Sequence, residues 1–138
     1  MDAIMLSLSG LLPFALYFTL SLASLLVFKV LYSKVTPHDE WLLIKEKQST
    51  AAAWAFGGAI LGFSIAVAGA ATNSAGVVDF IIWAVIALIA QLLAFAIVRF
   101  GFMPRIAERI EQDEVAAGIM LGCVSVSIGL LNAACMSY

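Results

Sequence analysis

Four uncharged apolar stretches, each long enough to cross a bilayer, leave this chain few ways to fold. A spanning helix needs about 20 mostly apolar residues. Residues 3–28, 50–78, 80–98 and 115–138 contain no Asp, Glu, Lys or Arg. A soluble alternative fails on burial. The 138-residue chain is 64% hydrophobic and 12% charged, against about 45–50% and about 25% in ordinary soluble domains. A chain this short buries only about two-thirds of its surface, too little to hide that much apolar side chain from water. The pattern therefore predicts an all-α membrane protein, one transmembrane domain over 1–138, with helices at about 8–33, 50–72, 77–101 and 114–136. Asn73-Ser74-Ala75-Gly76 supplies the turn between the second and third.

The basic residues set the expected orientation. All seven lie in or beside two connections: Lys29, Lys34, Lys45 and Lys47 at the first, Arg99, Arg105 and Arg109 at the second. The N-terminus, the turn near Asn73 and the C-terminus carry none. Lys and Arg concentrate in cytoplasmic loops, so both long connections are expected inside and both termini outside. Lys29 and Arg99 fall near the inner boundary, where such side chains reach toward the headgroups. Binding a substrate is their alternative role. The start, MDAIMLSLSG, carries Asp2 where a cleavable signal would have a basic region, so the first apolar stretch is expected to stay.

Both connections read as short amphipathic cytoplasmic segments. Thr36-Pro37-His38-Asp39 has the form of a capping box with proline at the first helical position. Trp41 follows as an interfacial anchor. Pro104 stands at the matching place in the second connection, with Ile106 and Ile110 four apart on one face. The two halves, about 1–74 and 75–138, repeat the same order: apolar helix, basic end, proline, amphipathic segment, helix rich in small residues. Glu46, Ala51, Ala52 and Gly57 align with Glu111, Ala116, Ala117 and Gly122 at an offset of 65. Aligning the prolines sets Ser24 over Gln91. The expectation is two repeated helical hairpins of the same orientation, related by an axis along the membrane normal.

The string TPHDEWLLIKEKQSTAAAWAFGGAILGFSIAVAGA, with its second-half echo DEVAAGIMLG, resembles a bacterial inner-membrane family known as domain of unknown function 350. The resemblance covers essentially the whole chain. It implies a multi-pass inner-membrane protein with duplicated hairpins and no assigned reaction. Members are often encoded near envelope-stress and ATP-grasp ligase-like proteins, which implies partners in an envelope-related system. That family often has a Gly-Asn pair just ahead of the alanines. This chain has Gln48-Ser49 and Asp113-Glu114 there.

Two sets of residues are candidates for more than filling the bilayer. The first is small: Gly57, Gly58 and Gly62 in the second span, Gly118, Gly122 and Gly129 in the fourth. Such faces let helix backbones approach closely, either within one chain or between copies in a homo-oligomer. The second is polar: Ser24, Gln91 and Asn132 lie within the spans. A polar group in hydrocarbon without a partner costs on the order of 2–7 kcal/mol. Each must then bond another helix or line a polar path, with Ser24 and Gln91 facing each other at mid-depth.

Other chemistry lacks its residues. No carboxylate lies deep in a span, where a proton-coupled exporter would keep one. His38 is the only histidine. Cys123 and Cys135 are 12 residues apart in one span, about 18 Å along a helix and too far to pair. No enzyme, metal, cofactor or nucleic-acid partner is expected. Two readings remain. One is a self-associating scaffold that presents the mixed-charge segments 36–49 and 103–114 to a cytoplasmic protein partner. The other is a small oligomeric channel or transporter for ions or small solutes.

Overall fold

The computed structural model describes residues 2–35, 40–102 and 105–136. The expected capping box at Thr36–Asp39, Pro104 and the side chain of Trp41 lie outside the described part. Among the described residues, seven α-helices follow one another. They are α1 (Asp2–Ser9), α2 (Leu11–Val35), α3 (Glu40–Lys45), α4 (Thr50–Asn73), α5 (Val77–Ile97), α6 (Ile106–Glu111) and α7 (Val115–Cys135). Four helical stretches are long and apolar enough to cross a membrane: Asp2–Lys34, Thr50–Asn73, Val77–Gly101 and Val115–Cys135.

The spans start and stop where local chemistry dictates. Ser49 caps α4 by accepting from the Ala52 N–H, at 3.2 Å. The α4–α5 turn is the expected one. The Ser74 N–H closes α4 onto the Ala70 carbonyl, and the Ala75 N–H donates to Asp79 Oδ2 at 2.9 Å. Asp79 thus reaches back from the first turn of α5 as the acidic half of a capping box does. Two local features depart from simple helices. The first span breaks at Gly10, between α1 and α2. α2 alone runs 25 residues, about 37 Å, which already exceeds the roughly 30 Å hydrocarbon core. The third span ends in a π-helical turn over Val98–Phe102.

The core is an axis formed by α4 and α7, the most extensive pairing in the molecule. It depends on missing side chains. A Cβ on Gly118 would run into Ala51, and one on Gly129 into the Gly62 backbone, both inside contact distance. A Cβ on Gly122 would lie 2.6 Å from the Trp54 carbonyl oxygen, and one on Gly69 2.8 Å from Ala133 Cβ. Partners advance together along both helices, 51 with 118, 54 with 122, 62 with 129 and 69 with 133, so α4 and α7 run parallel. A parallel pair separated by one intervening span begins on the same side of the membrane.

α5 packs against both members of the axis, and α2 leans on α4 and α5. Aromatic rings fill that second seam: Phe28 stacks on Phe63 (4.7 Å between centroids), and Tyr32 meets Phe56 and Phe95 edge-on (5.9 and 6.4 Å). Tyr17 meets Phe80 edge-on nearer the other end. The outward faces of α1 and α2 stay apolar and open, Leu12 and Leu26 among them. That is the surface a helix shows to lipid.

The glycine contacts make a sharp prediction. Gly118→Ala and Gly129→Ala should each destabilise the protein by about 1–3 kcal/mol, the usual range for overpacking. Gly57→Ala should be neutral or gain up to about 1 kcal/mol of helix propensity, because nothing lies within 4 Å of a Cβ there. Thermal unfolding in detergent, followed by circular dichroism, checks the contrast.

Candidate functional site

Two places combine polar chemistry with construction: the corner where α3 and α6 meet the starts of α4 and α7, and a polar spot inside the bundle.

The corner is built by a crossed cap. Asp113 stands in the turn between α6 and α7, yet its carboxylate serves α4. Oδ1 accepts from the Ser49 hydroxyl and from the Ala51 N–H, both at 2.9 Å. Ser49, in turn, accepts from Ala52. Two of the orphan N–H groups at the start of α4 are thereby satisfied, and the negative charge sits at the positive end of the helix dipole. The Ala51 N–H, then the Ser49 hydroxyl, hold the Asp113 pKa below the usual aspartate value. Asp113 takes a left-handed backbone (φ 58°), as does Gln48 (φ 52°), 65 residues earlier. A left-handed turn is the conformation glycine adopts most readily, so both turns carry a side chain where glycine would be the easier residue.

Beneath the corner, α3 and α6 are pinned by apolar side chains. Leu43, Ile106 and Ile110 are buried, which places the expected Ile106/Ile110 face against the bundle. Arg109 reaches from α6 to Glu114, at the start of α7, with Nε to Oε2 at 2.9 Å and Nη2 to Oε1 at 3.3 Å. The Glu114 carboxylate raises the guanidinium pKa further. Both partners are partly open to solvent, so this pair orients the corner more than it stabilises it. Lys34, Arg99 and Arg105 are exposed, and Lys29 is half-buried. The Arg99 guanidinium lies 5.6 Å from the Phe100 ring centroid.

The inner polar spot centres on Gln91. It is 1% exposed, and neither its Nε2 nor its Oε1 has a hydrogen-bond partner among the described residues. Ser125 is equally buried with an unpartnered hydroxyl, and Asn132 Nδ2, half-buried, is also unpartnered. Gly62 lies between: a Cβ there would sit 3.0 Å from Gln91 Oε1 and 2.7 Å from the Ser125 carbonyl carbon. Ser24 is placed differently. Its hydroxyl donates to the Leu20 carbonyl at 2.8 Å. It lines a groove with Val27, Phe63, Ala84 and Leu88. The expected facing of Ser24 and Gln91 is not what the structure assembles; Gln91 lies against Gly62 instead, whose other close neighbour is the Ser125 backbone. The sequence analysis did not single out Ser125, and it gave Asp113 no role beyond the mixed-charge segment 103–114.

A wider groove of about 680 Å³ runs along the outside of the α4–α7 seam, with Gly57 and Gly58 between Trp54 and Leu61 and with Cys123 and Ser127 opposite. Its lining is overwhelmingly apolar. Among the described residues no cluster of three or more His, Cys, Asp or Glu could hold a metal.

These features define a polytopic helical membrane protein whose polar construction lies at one end of the bundle and in one internal spot. The family described as Domain of Unknown Function (DUF350) matches residues 5–136, and the chain belongs to it. The chain is 44% identical over 131 residues to the UPF0719 inner membrane protein YjfL of Escherichia coli (strain K12), covering 95% of this chain and 98% of that one. The corresponding protein of Escherichia coli O157:H7 matches to the same extent. No solved structure matches. The chain is thus an integral inner-membrane protein.

The crossed cap predicts a signed pH dependence. A lowered folded pKa stabilises above the ordinary aspartate value of about 3.9, and that contribution is lost as pH falls through the folded pKa. Asp113→Ala should lower the melting temperature at pH 7, and its gap from the parent should narrow below about pH 4. Asp113→Asn, which keeps an acceptor oxygen, should lose less. Melting curves across pH 3–7 check the sign.

Proposed function

We propose that this protein is a self-associating structural component of the inner membrane that holds a rigid two-helix platform, α3 and α6, toward a protein partner in the cytoplasm. The observation that carries this reading is the crossed cap. A residue of the second connection closes the helix that follows the first, so the two connections are fixed to each other rather than hanging free. The segments 36–49 and 103–114 bear both signs of charge, with Glu46, Glu108 and Glu111 among Lys45, Lys47, Arg105 and Arg109. Mixed charge suits a protein surface better than plain attraction to anionic lipid.

The platform reading rests on an orientation with both termini outside, supported by the placing of all seven basic residues and by the parallel run of α4 and α7. It also rests on a duplicated hairpin. That is supported by the 65-residue spacing of the two left-handed residues and of the starts of α4 and α7. Self-association is assigned to the groove face around Gly57, since Gly58, Gly62, Gly118 and Gly129 already pack within the chain.

A second reading, an oligomeric channel or transporter for ions or small solutes, draws on one observation: Gln91, the Ser125 hydroxyl and Asn132 Nδ2 are polar groups in the spans with no hydrogen-bond partner among the described residues. A conduit of this kind would run between protomers, because α4 and α7 touch backbone to backbone.

Orientation is checked first. In a chain with Cys123→Ala and Cys135→Ala, Ser74→Cys should react with an impermeant maleimide added outside spheroplasts, and Ser33→Cys should not. The reverse pattern overturns the platform's cytoplasmic placement. Function is checked by flux in liposomes holding the purified protein. The scaffold reading expects no flux of ions or polyamines. Flux that Gln91→Leu abolishes in a folded protein would install the channel reading in its place.

A further inference from the structure

Five hydroxyls on the spanning helices satisfy themselves locally. Ser21, Ser24, Ser64, Thr72 and Ser127 each donate to the carbonyl four residues earlier on their own helix, at 2.7–2.9 Å. That is the local way to satisfy a hydroxyl in lipid. Ser125 does not close on its own helix. It is 1% exposed, and its hydroxyl has no partner among the described residues. Gln91, also 1% exposed, comes up to the same place from α5 with both amide atoms unpartnered. Both residues abut Gly62 of α4: a Cβ there would lie 3.0 Å from Gln91 Oε1 and 2.7 Å from the Ser125 carbonyl carbon. A side chain of α5 and a residue of α7, each with buried polar atoms that lack a partner among the described residues, thus flank one glycine of α4.

An unpaired buried amide is among the most unfavourable things a membrane helix can carry. Two such groups at one point call for a ligand that both gives and accepts hydrogen bonds. It must also be uncharged. The spans around the spot, 50–73, 80–98 and 115–135, contain no charged residue, so a desolvated ion would find no counter-charge there. It must be small as well, since Gly62 already presses on Gln91 and on the Ser125 backbone. Water meets all three conditions, and buried waters typically make about three hydrogen bonds to groups left over by the protein.

We propose that Gln91 and Ser125 form a mid-membrane binding site for a water molecule, which bridges the carboxamide on α5 to the hydroxyl on α7 beside Gly62. The site joins α5 to the α4–α7 axis by hydrogen bonds that the helices cannot make directly. It stands independently of the scaffold reading, because a trapped water joins helices whether or not anything is conducted.

The test is a melting cycle in detergent on the full chain: parent, Gln91→Met, Ser125→Ala and the double variant. Met keeps the length of Gln and removes its polar atoms. With a shared water, each single variant loses roughly 3–6 °C, and the double variant loses no more than the worse single. If Gln91→Met melts at or above the parent, or if the two losses simply add, there is no shared water and the proposal is overturned. A measurement on the unaltered protein covers variants that fail to fold. Leu121 is fully buried one turn before Ser125. Millisecond radiolytic labelling should oxidise it through the bound water, and its complete protection would count against the site.

Discussion

The backbone contact between α4 and α7 is the constraint on which the rest of this molecule depends. In lipid there is no hydrophobic gain from burying apolar side chains against each other, so helices associate by close packing and weak polar contacts. Glycine at 58, 62, 69, 118, 122 and 129 lets the two helices touch main chain to main chain. Once they do, the remaining geometry has little freedom. A parallel pair requires one return span, and α5 fills it through the four-residue turn at 73–76. α2 is left to complete the bundle from outside, and it does so with rings, Phe28 and Tyr32 against Phe56, Phe63 and Phe95, rather than with small residues. The division is physical. A stripe of glycines permits an approach that bulky side chains forbid, whereas aromatic rings fill the wider gap left when a fourth helix cannot come so near.

The same contact explains why the polar chemistry collects where it does. With α4 and α7 side by side and parallel, their first turns lie together, and eight orphan N–H groups converge on one end of the bundle. Asp113 answers part of that need across the pair instead of along its own helix. The left-handed turn at Asp113 is what aims the carboxylate at Ser49 and Ala51. A glycine would take this turn without strain but would leave the cap unmade. Aspartate at this turn therefore exchanges backbone ease for a side chain that caps α4 from the far connection.

Much of this was legible in the sequence, and the exceptions share a cause. The four spans follow from uncharged length alone, and the turn at Asn73–Gly76 from turn chemistry, so both match within a few residues. The small residues of α4 and α7 were visible as a stripe, though Gly69 was not singled out; it contacts Ala133 because the faces drift as the helices run on. What the residues could not show was which partner each polar group meets. Aligning the halves put Ser24 opposite Gln91, but Ser24 satisfies itself on Leu20 and points into a separate groove. Asp113 read as surface charge because the N–H it accepts from, on Ala51, lies 62 residues earlier in the chain. The break at Gly10 and the π-helical turn at Val98–Phe102 likewise leave no periodic signal.

Gln91 shows how these two levels meet. Its position in the middle of an uncharged span was conspicuous from the sequence, and the structure leaves its amide without a partner among the described residues. An apolar residue of the same length is the easier solution for a purely space-filling position, since an unsatisfied amide in hydrocarbon is strongly unfavourable. A glutamine kept at full burial, beside a glycine that makes room for it and a serine that declines its own helix, is better explained by something the three helices hold in common than by packing alone. The bundle's rigidity would then have two sources: glycine contacts that close α4 on α7, and a hydrogen-bonded bridge that brings α5 to both.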